Sequence, residues 1–156
     1  MPQFKNLSTL EDYVKKKVLE SVQTNLGLED IFAETMKEVI QKNVYDVYTP
    51  VQYERRGEQG GFLDTRFMHF TNHIAEGNRT VSSFENLAQG QDTMVGKYIA
   101  EMIEKGIKEP YNNPDGPWAE PRPFLEDTAQ ALSTTKRDEV IGAFKVGLMS
   151  SGLKVR

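Results

Sequence analysis

Two clusters of helix-breaking residues divide this chain into separate predicted segments of regular structure. Three glycines fall within residues 57–61, and five of the seven prolines fall within residues 110–123. Glycine loses much conformational entropy in regular structure, and proline lacks the amide N–H that a helix interior needs. We therefore predict a mobile loop or extended arm at 57–61 and a second loop at 110–123, with helices and strands outside them.

The N-terminal segment is predicted to form an amphipathic helix over residues 9–26. Apolar residues recur there at the spacing of one helix face, with Lys15–Lys17 mostly off that face. Ser8 and Glu11 have the spacing of a capping box, in which both side chains accept hydrogen bonds from backbone N–H groups at the helix start. Gly27 has the position of a C-terminal stop. The narrow apolar stripe indicates packing against one surface rather than a place in the core.

Four further helices are predicted from the same periodicity. The second helix has the fullest apolar face, and we expect it to be the core helix, beginning near Glu29 and ending before Pro50. Gly106 is expected to end the third helix as a C-cap glycine, and the fourth begins near Phe124. The predicted ranges are about 29–49, 92–105, from 124 onward, and 136–156.

Two β-like runs of residues predict a β-hairpin, with polar as well as apolar residues on one face of the first run. The runs cover about 62–74 and 79–87, and the sequence at 75–78 is typical of a turn. The apolar residues expected to share one face of the first strand are Phe62, Met68, Phe70 and Ile74. We expect these helices and this hairpin to form an α+β fold.

The length of the chain predicts one domain. With 156 residues, the chain can bury enough surface to fold without disulfides or a structural metal. We expect a single domain over 1–156, made of an N-terminal helical extension (1–27), a core (28–135) and a C-terminal helix (136–156). The prolines at 110–123 form too short a stretch to divide it.

Composition excludes several classes of function. The chain has no cysteine, which excludes disulfides, thiolate zinc sites, iron–sulfur clusters and a thiol nucleophile. The formal net charge of -4 argues against a dedicated nucleic-acid-binding domain, which is usually basic. No apolar run approaches the roughly 18 residues of a membrane span, and we expect no secretory signal at the N-terminus.

No motif for catalysis, cofactor binding or metal binding is visible. His69 and His73 lie four residues apart, which on a strand puts them on one face but roughly 13 Å apart, too far for one ion. The chain carries none of the common nucleophile, phosphate-loop or zinc-protease patterns. Carboxylate pairs such as Glu34 and Glu38 are interpreted as solvated helix surface. We therefore predict no catalytic, cofactor-binding or metal-binding residues.

The aromatic and arginine residues beside the two loops are candidates for contact with a partner. Arg55 and Arg56 stand with Tyr48 and Tyr53 at the base of the glycine loop, and both residue types are enriched at protein–protein interfaces. Trp118, the only tryptophan, lies in the proline-rich loop. It is either a lid over the core or an interface anchor, since tryptophan often forms hot spots.

Three stretches together carry a resemblance to a known family. The first follows a long amphipathic helix and consists of Tyr45–Pro50, Tyr53–Arg56 and Phe62–Asp64; the second is Tyr98–Gly106, and the third is Pro121–Leu125. In this order, over about residues 29–135, they resemble the tail-completion, or neck, family of minor tail components of tailed bacteriophages and prophages.

The resemblance implies a structural virion protein without enzymatic activity that assembles as a ring at or near the head–tail junction. It implies a long helix packed on a small, mostly antiparallel sheet, with additional N- and C-terminal helices. Residues 53–61 would be an extended loop that contacts a neighbouring subunit, and residues 121–125 would position the C-terminal helix. Arg122 and Phe124 therefore join the predicted subunit-interface residues. The protein would be assembled in the host cytoplasm and lie in the phage neck or tail.

The expected partners are further copies of this chain, in a ring such as a hexamer or dodecamer, and neighbouring neck and tail proteins. DNA would be present only as the passing genome, and no membrane is involved. One alternative is another neck component, a stopper or tail terminator. The alternative from a different class is a small cytoplasmic α+β enzyme or ligand-binding domain, which a deep pocket lined by perturbed titratable groups would favour.

Overall fold

A long helix and a β-hairpin organise the part of the chain that the computed structural model describes, which is residues 4–47, 56–77, 79–89, 99–106 and 120–155. Within these ranges there are five α-helices and one two-stranded antiparallel sheet, which confirms the predicted α+β class. The elements are α1 (Leu7–Gln23), α2 (Leu26–Ile40), β1 (Met68–Glu76), β2 (Arg79–Asn86), α3 (Ile99–Lys105), α4 (Phe124–Ser133) and α5 (Arg137–Ser150). A π-helical turn (Gln41–Tyr45) extends α2, and a 3-10 turn (Thr65–Phe67) precedes β1.

The core forms around α2, as the fuller apolar face of this helix predicts. Its buried side chains meet those of the segment before β1, of α3 and of the start of α4. The buried cluster consists of Ala33, Met36, Ile40, Val44, Phe62, Leu63, Met68, Ala88, Ala100, Ile103 and Phe124. α1 and α5 contribute no member, so these two helices lie against the core rather than in it. Gly106 ends α3 with a φ of 66°, as predicted for a C-cap glycine.

Side-chain caps set the boundaries of α1 differently from the prediction. Asn6 is the N-cap: its Oδ1 accepts a hydrogen bond from the Thr9 amide at 2.9 Å, and its own amide donates to Thr9 Oγ1. The predicted cap at Ser8 and Glu11 is wrong, because both residues lie inside the helix. Gly27 is not the stop either. The Asn25 Oδ1 accepts from the Leu28 amide and starts α2 before the glycine is reached.

α5 docks on the corner between α1 and α2 through a glycine. Gly147 is buried, and a Cβ added there would lie 2.5 Å from Asn25 Nδ2 and 3.0 Å from the Ser21 carbonyl oxygen. The close approach lets Asn25 Nδ2 donate to the Ala143 carbonyl at 2.7 Å. Asn25 therefore caps α2 through Oδ1 and forms a hydrogen bond to α5 through Nδ2.

This arrangement predicts opposite effects for two alanine substitutions in the same helix. Gly147→Ala displaces Asn25, and overpacking of this kind costs about 1–3 kcal/mol of unfolding free energy. Gly142→Ala is the control, because a Cβ at that exposed position meets nothing within 4 Å. It should gain up to about 1 kcal/mol from helix propensity. Urea unfolding followed by circular dichroism measures both changes; a stabilising Gly147→Ala would contradict the docking.

The hairpin contains a β-bulge that the order of apolar and polar residues in β1 does not reveal. Thr71 pairs with Ser83 but Ile74 pairs with Val81, so β1 has one residue more than β2 between these pairs. Asn72 takes up the extra residue with a φ of 49°. The bulge moves Ile74 to the solvent face, where it is 48% exposed, instead of the face it was predicted to share with Met68 and Phe70. Phe62 precedes the strand altogether.

Candidate functional site

The glycine cluster forms a compact turn, which we call the Asp64 turn (residues 56–64). The Gln59 amide donates to the Arg56 carbonyl at 2.8 Å, and the Leu63 amide donates to the Gly57 carbonyl. A Cβ at Gly61 would lie 2.6 Å from the Gly57 carbonyl oxygen, so only glycine fits there. The prediction of an extended arm at 57–61 is wrong, because these residues form a tight turn; the alternative of a mobile loop stays a prediction.

The carboxylate of Asp64 holds this turn together. The residue is 3% exposed, and its two oxygens accept hydrogen bonds from the Gly60 amide (2.7 Å), the Arg66 amide (3.1 Å) and the Arg66 guanidinium (2.9 and 2.6 Å). The Arg66 guanidinium, together with the two amides, holds the pKa of Asp64 well below its usual range. Asp64 is therefore ionised and anchors the turn as a fixed anion.

Three contacts fix the turn to the rest of the molecule. Arg56 Nη2 donates to the Gln89 carbonyl at 2.7 Å, after the end of β2. Glu58 forms an ion pair with Lys37 of α2 at 2.8 Å. Inside, the buried Asn86 donates from Nδ2 to the Phe62 carbonyl at 2.9 Å. The backbone of the turn is therefore held on both sides. The side chains of Glu58 and of the nearby Arg66 lie at the surface.

The predicted interface residues have different positions. Arg56 is half-buried on the Asp64 turn, and the half-buried Arg122 approaches the Val44 carbonyl through Nη1 at 3.5 Å. Phe124 is fully buried and packs edge-to-face on Phe62 with ring centroids 5.0 Å apart. The prediction that Phe124 contacts another subunit is wrong for this fold, because its side chain has no exposed surface. Tyr48, Tyr53, Arg55 and Trp118 lie outside the described residues, so their interface role stays a prediction.

Both histidines have partners within the fold. His69 Nδ1 faces Glu29 Oε1 at 3.0 Å and its Nε2 faces the Arg66 carbonyl, so both ring nitrogens meet acceptors. The hydrogen bond to Glu29 raises the pKa of His69. His73 instead meets Ser82 Oγ at 2.9 Å on the opposite face of the hairpin. Because of the bulge, His69 and His73 lie on opposite faces of the hairpin, so the prediction that they share one face is wrong.

Within the described ranges, no group of three or more His, Asp or Glu residues is placed to hold a metal ion. Glu34 and Glu38 are exposed on α2, which confirms their interpretation as helix surface. No helix in the described part of the chain is long and apolar enough to cross a membrane.

A small apolar hollow lies between the hairpin and the helices on one side of it. Its volume is about 200 Å³, below the roughly 300–1,000 Å³ of typical ligand sites. It is lined by Val18, Val22, Leu28, Phe32, Phe70, Thr80, Ser82, Val140 and Phe144. These side chains are apolar apart from two hydroxyls, so the hollow does not have the lining of perturbed titratable groups that would favour the enzyme alternative.

The sequence did not predict the role of Asp64 in this site. Its role is visible in the sequence only as an Asp two residues before an Arg and a few residues after glycines, a combination that also occurs in ordinary turns. A signal could have come from its neighbours, because Phe62 and Leu63 are apolar and must pull the adjacent carboxylate inward. A buried carboxylate then requires donors such as Arg66.

The fold and this anchored turn define an α+β protein with a surface turn that a buried carboxylate holds in place. The family model described as YomN matches residues 6–150, and the chain belongs to this family. The chain is 27% identical over 155 residues to the SPbeta prophage-derived protein YomN of Bacillus subtilis (strain 168). The match covers 96% of this chain and 97% of that protein. No solved structure matches the chain.

Proposed function

We propose that this phage-derived protein is a structural component of the virion, a tail-completion or neck protein that assembles as a ring at the head–tail junction. The observation that carries the proposal is the match to a prophage-derived protein over nearly the whole of both chains. A match of this extent includes α1 and α5 as well as the core, so both proteins share one architecture rather than one motif.

The finer assignment rests on the resemblance of three stretches to the neck family and on the geometry of the Asp64 turn. Neighbouring subunits of a ring meet through a heterologous interface, and the rotation from one subunit to the next must bring the last subunit back to the first. Such an interface needs a surface of fixed shape. The turn offers one, because Asp64 fixes its backbone and leaves Arg66 76% exposed at the side chain. Arg56, one of the predicted interface residues, lies on this turn.

In this role the protein has no enzymatic activity. It contacts further copies of itself, in a ring such as a hexamer or dodecamer, and neighbouring neck and tail proteins, while the genome passes through. A stopper or a tail terminator is a related assignment with the same kind of interface. A tail-completion protein, a stopper and a tail terminator differ in their position in the neck, and therefore in the partner proteins that they bind.

Deletion of the gene from an inducible prophage that encodes this chain tests the proposal. We expect filled heads and separate tails in negative-stain micrographs, and normal particles once the intact gene is supplied from a plasmid. An Arg66→Glu variant probes the turn surface, and Lys145→Glu, a charge reversal at an exposed residue of α5, is the control. Normal particles from the deletion strain would exclude an essential role in joining heads to tails.

A second candidate function, a small hydrolase, is favoured by one observation. Ser82 Oγ lies 2.9 Å from His73 Nδ1 at the hollow, a distance typical of a nucleophile and its base. No carboxylate of the described residues is bonded to the other ring nitrogen of His73, and such a group usually orients the base. Labelling by a fluorophosphonate probe that is lost in Ser82→Ala would support this candidate; absence of labelling supports the structural role.

A further inference from the structure

The hairpin leaves a long strand edge unpaired within the described residues. The sheet has two strands, and no other described strand adds to either side. An unpaired edge presents a row of backbone N–H and C=O groups that can pair with another chain, and soluble proteins usually protect such edges with lysine, proline, bulges or a covering element. The two edges of this hairpin differ in that protection.

β1 is protected and β2 is not. The bulge at Asn72 interrupts β1, and a bulge twists an edge away from regular pairing. β2 (Arg79–Asn86) has no bulge, lysine or proline, and its central residues 80–84 carry no charge. The regular edge of β2 is thus the one suited to accept another strand.

The outer face of β2, which is exposed at Arg79 and Val81 and half-buried at Ser83 and Glu85, carries opposite charges at its two ends. Thr80 and Ser82 line the hollow and Phe84 contacts Phe32, so the even-numbered residues face the helices. Side chains alternate along a strand, so Arg79, Val81, Ser83 and Glu85 share the outer face. Within the described residues, neither Arg79 nor Glu85 forms an ion pair, and Val81 is 46% exposed.

This pattern is complementary to itself. When β2 runs antiparallel to a second β2 about a twofold axis at Ser82, Arg79 of each copy lies opposite Glu85 of the other. Val81 lies opposite Ser83, and the two valines become diagonal neighbours about 7–8 Å apart. Directly opposed residues then share a face, as antiparallel pairing requires. Moving the axis by one residue to Val81 or Ser83 loses both charge pairs.

We propose that β2 is a homotypic docking edge, which pairs antiparallel with β2 of a second copy of this chain through Arg79–Glu85 contacts about a twofold axis at Ser82. The partner is a second copy because one short strand supplies both charges in the symmetric register. The contact is isologous and closes at two copies, so it is separate from the heterologous interface of the proposed ring. It does not rest on the proposed function.

Sedimentation equilibrium of the purified chain over a range of concentrations tests this edge. The expected result is a reversible monomer–dimer equilibrium that Val81→Lys abolishes, because the two lysines would be diagonal neighbours across the new pairing and would repel each other. Ile74→Lys is the matched control: Ile74 is the cross-strand partner of Val81, with similar exposure on the same face, but it lies on β1. It should leave the dimer intact. Equal loss of the dimer in both variants would overturn the proposal.

A charge exchange tests the register. Arg79→Glu alone should weaken dimerisation about tenfold, because two attractive pairs become repulsive. Adding Glu85→Arg restores opposite charges and should return the dissociation constant to within about threefold of the original. A double variant no tighter than Arg79→Glu would contradict the register.

Hydrogen exchange of the unmodified chain provides a test that does not depend on variants folding. Dimerisation should slow exchange at alternate amides of β2 in a concentration-dependent way and leave β1 unchanged. A chain that stays monomeric at every concentration overturns the edge pairing. A ring that forms equally well in Val81→Lys is the expected result, because the two interfaces are separate. A ring lost in Val81→Lys would contradict that separation, and a dimer without any ring would contradict the proposed function while leaving the edge pairing standing.

Discussion

Phe124→Ala is expected to lower the unfolding free energy by about 3–5 kcal/mol, the usual cost of truncating a fully buried phenylalanine. The side chain is 0% exposed and closes the core between α2, α4 and the Asp64 turn through its edge contact with Phe62. Since small domains are stable by only about 5–15 kcal/mol, much of the population should unfold under mild conditions. Urea unfolding followed by circular dichroism measures the change.

Leu125→Ala is the matched control for this prediction. Leu125 is the next residue of α4 and is 38% exposed, so its truncation should cost well under half as much. The comparison also decides whether Phe124 belongs to the core or to an interface. A stable Phe124→Ala monomer that has lost only its ability to associate would restore the interface role that the structure contradicts.

Asp64→Ala is expected to lower the unfolding free energy by roughly 3 kcal/mol, since hydrogen bonds to a charged group contribute about 1.5–3 kcal/mol and the Gly60 amide loses its acceptor. Arg66→Ala is the control. Arg66 is exposed at the side chain, and its removal leaves both backbone donors to Asp64 in place, so the loss should be about 1 kcal/mol or less. Equal losses in the two variants would show that the exposed ion pair, rather than the buried carboxylate, stabilises the turn.

The same carboxylate gives a defined pH dependence. Because the pKa of Asp64 is lowered in the folded state, the unfolded chain takes up a proton at higher pH than the folded chain does. The contribution of Asp64 is therefore complete above the ordinary aspartate pKa of about 3.9 and is lost as the pH falls below it. Asp64→Asn should flatten the acid side of the stability curve; an unchanged acid slope would contradict the lowered pKa.

The sequence predicts most of the regular structure because apolar periodicity is a local signal. The core role of α2, the C-cap at Gly106 and the start of α4 at Phe124 all follow from side chains within a few residues of one another. The errors arise where a polar side chain makes a specific hydrogen bond. Asn6 and Asn25 cap their helices ahead of Ser8 and Gly27, and nothing in residue type alone ranks these competing caps.

The site is less predictable because it depends on tertiary contacts. A glycine cluster is compatible with a mobile arm or a tight turn, and the buried carboxylate of Asp64 decides between them. Likewise the bulge at Asn72 reverses the faces of Ile74 and His73, although Met68, Phe70 and Ile74 all stand at even-numbered positions across it. The family resemblance places Phe124 at an interface because a motif gives a position in the chain but not the burial of the side chain there.

Quantitative mass spectrometry of purified particles tests the central claim, that this phage-derived chain is a structural part of the virion. Particles from an induced prophage that encodes it should contain the chain at a small, fixed number of copies, in constant ratio to the other neck proteins and unchanged by a high-salt wash. A chain found only in the cell lysate, or removed by the wash without loss of particle integrity, would contradict the account.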